Sequence, residues 1–343
     1  MNDIKKTTIV FAGGGTAGHI MPNIALIERL DEAEYDIHYI GTQNGMEQGL
    51  IAKYPHVKFH TIEAIKFRRS LSLKNFGIPF KLMRGVRQAK KLLREIEPDI
   101  IFSKGGFVAL PVTMAAKRRY PVIIHESDMS MGLANRLAAK RAVHVCASFD
   151  GLEGATVHTG LPLRKSIFLP KQVGARPVLL VMGGSSGALK INNALKEVLP
   201  SLIKKFDIIH IVGKGKSDST AIVNNYQQIE FCDDIGSLYA KASMVISRGG
   251  ATALFELIAL KIPSLIIPLA KGTSRGDQVL NTQYFASNGL CHMLEESDLN
   301  KNSLLDAIES CFNDKNLKDA LKNTKNIDGT QNILDLIAKT MDT

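Results

Sequence analysis

A glycine-rich turn that ends on a histidine is the part of this sequence best suited to chemistry. It occupies residues 13–19, follows an apolar run at residues 8–11 typical of a buried strand, and opens a helical pattern. Glycines let the backbone approach a ligand closely, and free N–H groups at a helix start attract negative charge. His19 adds a group of the type that moves protons near neutral pH. The turn therefore predicts phosphate binding combined with proton transfer.

The same turn also fits a second, weaker pattern. Gly13, Gly15 and Gly18 satisfy the dinucleotide-binding motif G-x-G-x-x-G. That motif needs an acidic residue about 20 positions later, at the tip of the next strand, to bind ribose hydroxyls. The next predicted strand, residues 37–40, runs into residues 41–44 without an acid. An NAD-dependent oxidoreductase is therefore disfavoured, and a lack of nicotinamide binding would exclude it.

Length and composition predict an ordinary soluble, intracellular protein. The 343 residues predict two domains, each with its own core. The first residues lack the hydrophobic region of a signal peptide, and no apolar run reaches the ~18 residues of a membrane span. The cysteines are far apart and form no C-x-x-C pair, which predicts reduced, buried thiols rather than disulfides or a zinc site. They are Cys146, Cys232, Cys291 and Cys311.

The net charge of +10 is concentrated in one segment. Residues 53–94 contain twelve Lys and Arg against one acid, Glu63. Apolar side chains are mixed with these cations, a combination that an anionic membrane surface attracts. A solvated helix face is the alternative, and nucleic acid is disfavoured because no binding motif accompanies the charge. The interspersed apolar residues are Phe67, Leu71, Leu73, Phe76, Ile78, Pro79, Phe80, Leu82 and Met83.

The order of elements predicts the fold class. Short apolar runs alternate with helical stretches from end to end, which predicts α/β architecture with parallel sheets covered by helices. Residues 178–187 repeat the opening strand and glycine turn, so we expect two doubly wound, Rossmann-like domains facing across a cleft. The predicted domains are 1–162 and 163–330, linked near residues 160–164. A final helix, within 331–343, could pack on either domain.

Several further motifs, in order along nearly the whole chain, carry a family resemblance. Lys104-Gly105-Gly106-Phe107-Val108 is similar to a second glycine loop, and His125-Glu126-Ser127-Asp128 with Gly132-Leu133-Ala134-Asn135 to an acceptor-side segment. Residues 183–188 are similar to a third glycine loop. Arg248-Gly249-Gly250-Ala251 with Glu256, and Asp277-Gln278 with Asn281, are similar to donor-binding motifs. Together with residues 13–19 they resemble the MurG family of glycosyltransferases, which has the two-domain GT-B fold.

The resemblance implies an activity. It is the inverting, metal-independent transfer of N-acetylglucosamine from UDP-GlcNAc to the 4-hydroxyl of the muramyl sugar of lipid I, an undecaprenyl-diphosphate-linked pentapeptide. The product is lipid II for peptidoglycan, no cofactor is implied, and the expected location is the cytoplasmic face of the cell membrane. The open alternatives are another GT-B enzyme that uses a UDP-sugar, such as a glycolipid glycosyltransferase or a UDP-GlcNAc epimerase, and a non-catalytic binding scaffold.

The resemblance and the chemistry together give candidate residues for the acceptor side. The hydroxyl nucleophile needs a base, and His19 is the first candidate; capping the helix or only binding phosphate is the alternative for this histidine. Glu126 and Asp128 compete for that role, while a structural role for Glu126 in holding a loop is the alternative. The acceptor diphosphate is expected at Gly13, Gly14, Gly15, Gly105, Gly106 and Phe107.

The donor side has a longer set of candidates. Without an Asp-x-Asp motif, the charge of the leaving UDP must be met by backbone N–H groups and Arg164. Alternatives stay open: a salt bridge for Arg164, a helix cap for Ser185, a core position for Phe231, an ordinary charged helix position for Glu256, and turn polarity for Gln278 and Asn281. The predicted donor-binding residues are Thr16, Gly18, Asn135, Arg164, Ser185, Ser186, Gly187, Phe231, Cys232, Arg248, Ala251, Thr252, Glu256, Gln278 and Asn281.

Some positions depart from the family pattern and indicate a divergent branch. Ala17 stands where glycine is usual, Asp128 replaces asparagine, and Gly249 replaces serine in the donor motif. Ser186 takes the place of a glutamine, and Ala109 and Leu110 replace small residues.

Overall fold

The computed structural model describes residues 6–64, 78–184, 188–218, 224–270 and 276–342. The chain forms two compact units. The first contains Met1–Arg164 and Asp328–Thr343, and the second contains Lys165–Ile327. The chain therefore leaves the first unit once, builds the second, and returns to the first for its last helix.

The first unit is built on a seven-stranded parallel sheet in the order β3-β2-β1-β4-β5-β6-β7. Its central strands are continuous apolar runs because both faces of a parallel sheet are covered by helices. In β4 every residue is buried. The strands are β1 (Thr7–Ala12), β2 (Tyr35–Gly41), β3 (Lys58–Thr61), β4 (Ile100–Ser103), β5 (Val122–Glu126), β6 (His144–Ala147) and β7 (Val157–His158).

Helices cover both faces of this sheet. The elements are α1 (Ala17–Ile27), α2 (Met46–Ile51), α3 (Ile78–Ile96), α4 (Gly106–Ala116), α5 (Leu133–Ala139) and, from the chain's end, α12 (Thr330–Met341). Ile24 of α1 and Ile333 of α12 belong to the core on one face. Leu93 of α3 and Val112 of α4 belong to the core on the other. The final helix thus packs on the first unit, which settles a point that the sequence left open.

The second unit repeats the scheme with a six-stranded parallel sheet in the order β10-β9-β8-β11-β12-β13. The strands are β8 (Val178–Met182), β9 (Asp207–Ile211), β10 (Tyr226–Ile229), β11 (Met244–Ser247), β12 (Ser264–Ile266) and β13 (His292–Met293). The helices are α6 (Leu189–Leu202), α7 (Ile235–Lys241), α8 (Ala251–Ala259), α9 (Asp277–Ser287), α10 (Lys301–Asn313) and α11 (Lys315–Asn323). The predicted α/β fold with two parallel-sheet domains is confirmed.

Candidate active site

The first glycine loop joins β1 to α1 and is held by side chains from neighbouring elements. Gly15 has a φ of +88°, and a Cβ there would lie 2.3 Å from Cε1 of Phe107, so a larger residue does not fit. Tyr39 donates its hydroxyl hydrogen to the Gly13 carbonyl at 2.9 Å. The Gly15 N–H donates to Glu47 Oε2 at 3.3 Å. The expectation that the loop's N–H groups are free for an anion is therefore wrong at Gly15.

Glu47 is a site residue that the sequence interpretation missed. It is fully buried, and besides Gly15 its carboxylate accepts from the N–H of Thr42 at 2.9 Å and from the Thr42 hydroxyl at 2.6 Å. A buried carboxylate of this kind is stable only when several donors satisfy it. The signal in the sequence was an acid in the first turn of a short helix beside a glycine, at Gly45-Met46-Glu47.

The second glycine loop joins β4 to α4 and lies directly against the first. Gly106 has a φ of +81°, and a Cβ on it would lie 2.7 Å from the Gly14 carbonyl oxygen and 3.1 Å from His19 Nδ1. His19 is partly buried, and its Nδ1 lies 3.1 Å from Thr16 Oγ1. The fold thus brings the two loops, 90 residues apart in sequence, around the His19 imidazole.

Glu126 ends β5 and is surrounded by hydrogen-bond donors. Its Oε1 accepts from the N–H groups of Ser127 at 2.9 Å and Asp128 at 3.2 Å. Its Oε2 accepts from the Gly132 N–H and from Asn135 Nδ2, both at 2.9 Å. The side chain is buried and these four donors fill it, so the geometry favours the structural alternative over a general base. Asp128 remains partly exposed beside it.

Two buried residues flank this acidic loop. Burial, with a contribution from the Lys104 charge, holds the pKa of His125 well below its usual range, and its Nε2 lies 2.9 Å from the Gly160 carbonyl oxygen. His125 is therefore neutral and joins the β5 end to the segment near residue 160. Asn135, predicted to bind the donor, lies in the first unit, and its buried Oδ1 has no hydrogen-bond partner among the residues that the structure describes. Arg164, also predicted for the donor, is the last residue of the first unit before the chain enters the second and is partly buried.

In the second unit the predicted donor motifs meet where β11 ends and α8 begins. Ala251 and Thr252 form the first turn of α8, and Glu256 one turn later is buried, accepting from the Tyr239 hydroxyl at 3.1 Å. Asn281 of α9, fully buried, donates its Nδ2 hydrogen to the Gly249 carbonyl at 3.3 Å. Gln278 Oε1 accepts from the Leu269 N–H at 2.9 Å. Glu256 is thus not an ordinary surface charge, and each of the two amides bonds to the backbone of a loop, at Gly249 before α8 and at Leu269 after β12.

The Arg248 side chain forms a buried ion pair that the sequence interpretation missed. Its guanidinium donates to Glu296 Oε1 at 2.5 Å and to the Ile267 carbonyl at 3.0 Å, and Lys190 Nζ lies 3.1 Å from Glu296 Oε2. Burial alone would raise the pKa of Glu296, but the hydrogen bonds from both cations outweigh burial and hold that pKa below its usual range. The carboxylate therefore stays charged and fixes the Arg248 side chain.

The other donor-side predictions have mixed outcomes. Phe231 is 44% exposed with Lys214 Nζ 5.0 Å from its ring centroid, so the core alternative for this residue is wrong. Cys232 is only partly buried, unlike the other three cysteines, and burial raises the pKa of its thiol. Ser185, Ser186 and Gly187 lie outside the described residues.

In the part of the chain that the structure describes, no group of three or more His, Cys, Asp or Glu side chains is arranged to hold a metal ion. Across that same part, no helix combines the length and apolar character needed to cross a membrane.

Family models match both halves of the chain. Residues 9–147 match the glycosyltransferase family 28 N-terminal domain, and residues 178–339 match the glycosyltransferase family 28 C-terminal domain. Together these matches cover most of the chain.

Curated relatives are similar over nearly the full length. A protein of Lachnoclostridium phytofermentans is 46% identical over 96% of this chain and 98% of its own length, and one of Clostridium tetani is 42% identical over 97% and 98%. Both are named UDP-N-acetylglucosamine–N-acetylmuramyl-(pentapeptide) pyrophosphoryl-undecaprenol N-acetylglucosamine transferase.

Solved structures share the fold. MurG of Acinetobacter baumannii superposes with a TM-score of 0.77 at 23% identity, covering 98% of this chain and all of the other. A glycosyltransferase of kitacinnamycin superposes with a TM-score of 0.78 at 14% identity, with the same coverage.

Proposed function

Since this chain belongs to glycosyltransferase family 28, and within it to the MurG family, we propose that it makes lipid II. The reaction is transfer of N-acetylglucosamine from UDP-GlcNAc to the 4-hydroxyl of the muramyl sugar of undecaprenyl-diphosphate-linked muramyl pentapeptide, with inversion at the anomeric carbon and without a metal. The names of these relatives contain both substrates. The observation that carries the proposal is the meeting of two glycine loops around His19 in the first unit.

The acceptor diphosphate is assigned to the paired loops of the first unit. The helices that start there, α1 and α4, have N-caps at Thr16 and Gly105 that make no side-chain capping bond. Uncapped first turns present backbone N–H groups and the positive end of the helix dipole, both of which favour a phosphate. This assignment includes Gly13, Gly14, Gly106 and Phe107, with Gly15 shaping the loop rather than donating.

His19 is proposed as the base. The C–O bond forms as the 4-hydroxyl loses its proton, so the base has to sit beside the acceptor diphosphate site. His19 lies between the two loops, while the Glu126 carboxylate is already filled by four donors. Asp128, partly exposed on the same loop, is the second candidate.

UDP-GlcNAc is assigned to the second unit. For Thr16, Gly18, Asn135 and Arg164, which belong to the first unit, donor binding stays a prediction from the family resemblance. The Glu256 carboxylate is proposed for the ribose hydroxyls, and Gln278 and Asn281 for the sugar. Because the Arg248 guanidinium is held by Glu296, the uracil is expected to contact the Arg248 backbone rather than its charge. Phe231, whose ring is exposed, is proposed to lie beside the uracil.

Transfer tests the proposal directly. Purified protein is mixed with UDP-GlcNAc and a short-chain lipid I analogue, with and without EDTA, and both UDP release and lipid-linked disaccharide are measured. EDTA-resistant disaccharide with a β linkage is expected. UDP-GlcNAc binding without transfer to this acceptor would instead favour another enzyme with the same fold, and loss of transfer in EDTA would contradict the metal-free mechanism.

An anionic membrane surface is the proposed partner of the first unit. On α3, Phe80 and Met83 are 73% and 50% exposed among the cations of the basic segment 53–94. On α5, which packs against α4 as α3 does, Leu133 and Leu137 are 59% and 40% exposed. Apolar side chains presented with cations bind anionic interfaces through both burial and charge. The α5 contribution was not predicted from the sequence, and the part of the segment at residues 65–77 lies outside the described residues.

Vesicle sedimentation tests this surface. Binding to vesicles containing phosphatidylglycerol is expected, with weaker binding to phosphatidylcholine alone and in high salt. Phe80→Ser with Met83→Ser is expected to reduce binding, whereas Val173→Ser, a 91% exposed apolar residue of the second unit, serves as the matched control. Equal binding by both variants would contradict the assignment to α3.

A further inference from the structure

Lys104 is a buried cation to which the proposed mechanism assigns no role. It lies between the end of β4 and Gly105, and it is only 1% exposed, which is rare for a lysine. Its Nζ donates a hydrogen bond to Ser127 Oγ. Its backbone N–H donates to the Ala12 carbonyl at 2.9 Å, and its Cβ lies 3.3 Å from the position of a Cβ on Gly13. One residue therefore contacts the first glycine loop, starts the second, and reaches the acidic loop that follows β5.

The groups around the Lys104 ammonium differ in charge. Burial lowers the pKa of Lys104 to about 8, although the nearby Glu126 and Asp128 carboxylates and Cys146 act in the opposite direction. Burial raises the pKa of Cys146 to about 12, so this thiol is neutral. His125, its pKa depressed by burial and by Lys104, is neutral as well. At neutral pH the cluster is one cation facing two carboxylates.

Two carboxylates beside a diphosphate site create an electrostatic problem. A diphosphate brings negative charge toward Glu126 and Asp128, and like charges in a partly buried site repel strongly. The ammonium of Lys104, placed behind both glycine loops, offsets that repulsion without occupying the space where the ligand binds.

We propose that Lys104 is a positioning residue for the acceptor diphosphate, its buried ammonium holding the Ser127–Asp128 turn and balancing the Glu126 and Asp128 charges beside the glycine loops. This inference rests on the proposed acceptor site. It makes acceptor affinity, rather than donor affinity or stability, the property that depends on the charge.

Lys104→Met, which keeps the length of the side chain and removes the charge, tests the inference. KM for the short-chain lipid I analogue is expected to rise roughly tenfold, with KM for UDP-GlcNAc unchanged. In the wild type, kcat/KM for the acceptor is expected to fall as pH rises through about 8, where Lys104 loses its proton, and this limb is expected to be absent in Lys104→Met. An unchanged acceptor KM or an unchanged alkaline limb would overturn the inference.

Two further variants separate charge from packing. Ser127→Ala removes the hydrogen bond but keeps the ammonium, so a much smaller effect on acceptor KM is expected. An effect equal to that of Lys104→Met would mean that Lys104 acts only through its hydrogen bond to Ser127, and it would overturn the inference. Where Lys104→Met folds poorly, Lys104→Met with Asp128→Asn restores the charge balance. This double variant is expected to recover binding of the acceptor analogue, measured by calorimetry without turnover, and no recovery would contradict the charge argument.

A bare diphosphate distinguishes this inference from the proposed function. Farnesyl diphosphate carries the diphosphate without the muramyl sugar, and its binding is measured for the wild type and Lys104→Met. If the wild type fails to transfer sugar to lipid I while farnesyl diphosphate binding still depends on Lys104, the proposed function falls and the inference survives. If transfer succeeds and farnesyl diphosphate binds equally well to the wild type and Lys104→Met, the proposed function survives and the inference falls.

Discussion

At the scale of single residues, we expect different roles for Glu126 and His19. Glu126 holds the site together, whereas His19 takes part in the reaction. Glu126 accepts four hydrogen bonds, whereas His19 stands between the glycine loops. Glu126→Gln turns an NH₂ group toward two N–H donors, so we expect a loss of roughly 1–3 kcal/mol of stability together with activity. His19→Gln is expected to lower kcat by about 10²–10⁴ with an unchanged Tm. Steady-state kinetics and thermal unfolding of both variants check this, and the opposite pattern would make Glu126 the base.

A second prediction at this scale concerns His210, which is fully buried between Tyr226 and Asn192. Burial lowers the pKa of His210 to about 4, so it is neutral in the folded protein and takes up a proton when unfolded below about pH 6.5. A depressed histidine pKa gives stability that is complete above the unfolded value and is lost as pH falls toward the folded one. The free energy of unfolding is expected to fall by about 2 kcal/mol between pH 7 and pH 5 through this residue.

Urea unfolding of the wild type and His210→Gln at both pH values measures that contribution. The variant is expected to be less stable at pH 7 because it packs less well, but its stability is expected to fall less between pH 7 and pH 5. Parallel pH dependence in the two proteins would contradict a neutral, buried His210.

Sequence reasoning named candidate site residues that lie in or beside glycine motifs, and it missed the contacts that hold these motifs in place. His19, Glu126, Glu256 and Asn281 were identified because they stand within or just after short patterns. Glu47 and Glu296 bind Gly15 and Arg248, which lie 32 and 48 residues away in the sequence. Lys104 was named as part of the second glycine loop, but its contact with Ser127, 23 residues away, was not predicted. A contact of that span leaves no periodicity in the sequence, and a lone acid or lysine is ordinarily a surface residue.

At the scale of elements, the same reasoning explains which strands were predicted. The sequence contains nine apolar runs, and they correspond to the strands that have a neighbouring strand on both sides. The runs are residues 8–11, 37–40, 100–102, 122–124, 143–146, 178–182, 208–212, 244–246 and 264–267. The missed strands are β3, β7, β10 and β13, which lie at the sheet edges. Edge strands bury fewer side chains, as the mostly exposed or half-exposed residues of β3 show, so they need no continuous apolar run.

The contact between α8 and α9 explains why Gly249 departs from the family's serine. A Cβ on Gly249 would lie 2.3 Å from Thr282 Oγ1 and 2.5 Å from the Gln278 carbonyl oxygen, and the second of these cannot rotate away. Gly249→Ala is therefore expected to push α9 outward, costing roughly 1–3 kcal/mol and weakening UDP binding through Gln278 and Asn281. Thermal unfolding and UDP titration measure both effects.

Gly250 is the matched control for that change. A Cβ on Gly250 meets nothing within 4 Å, and its φ of −71° suits any residue. Gly250→Ala is expected to leave the unfolding midpoint unchanged or slightly raised. Equal destabilisation by the two alanines would mean that the α8–α9 contact is looser than these distances require.

At the scale of the whole molecule, the chain passes between the units twice, and both passages are anchored side by side on the first unit. The Gly329 N–H donates to the Leu161 carbonyl at 2.9 Å, and the Leu163 N–H donates to Asp328 Oδ1 at 3.2 Å and Thr330 Oγ1 at 3.1 Å. Two segments that are 165 positions apart in the sequence are thus hydrogen-bonded to each other. The sequence predicted a linker near residue 160, but it did not indicate that residues 328–330 would bond to this linker.

The packing of α12 makes the stability of the first unit depend on the last helix of the chain. Ile333 of α12 is fully buried in the core that contains Ile9 and Phe11 of β1. Ile333→Ala is expected to cost about 2–5 kcal/mol, and the loss should fall on the first unit because α12 packs there. Hydrogen exchange locates the effect: amides of β1 and α1 are expected to lose protection, while those of β8 and β11 keep it. Gln331→Ala, on the exposed face of the same helix, is expected to change neither set, and equal loss of protection in both units would show that the two unfold together.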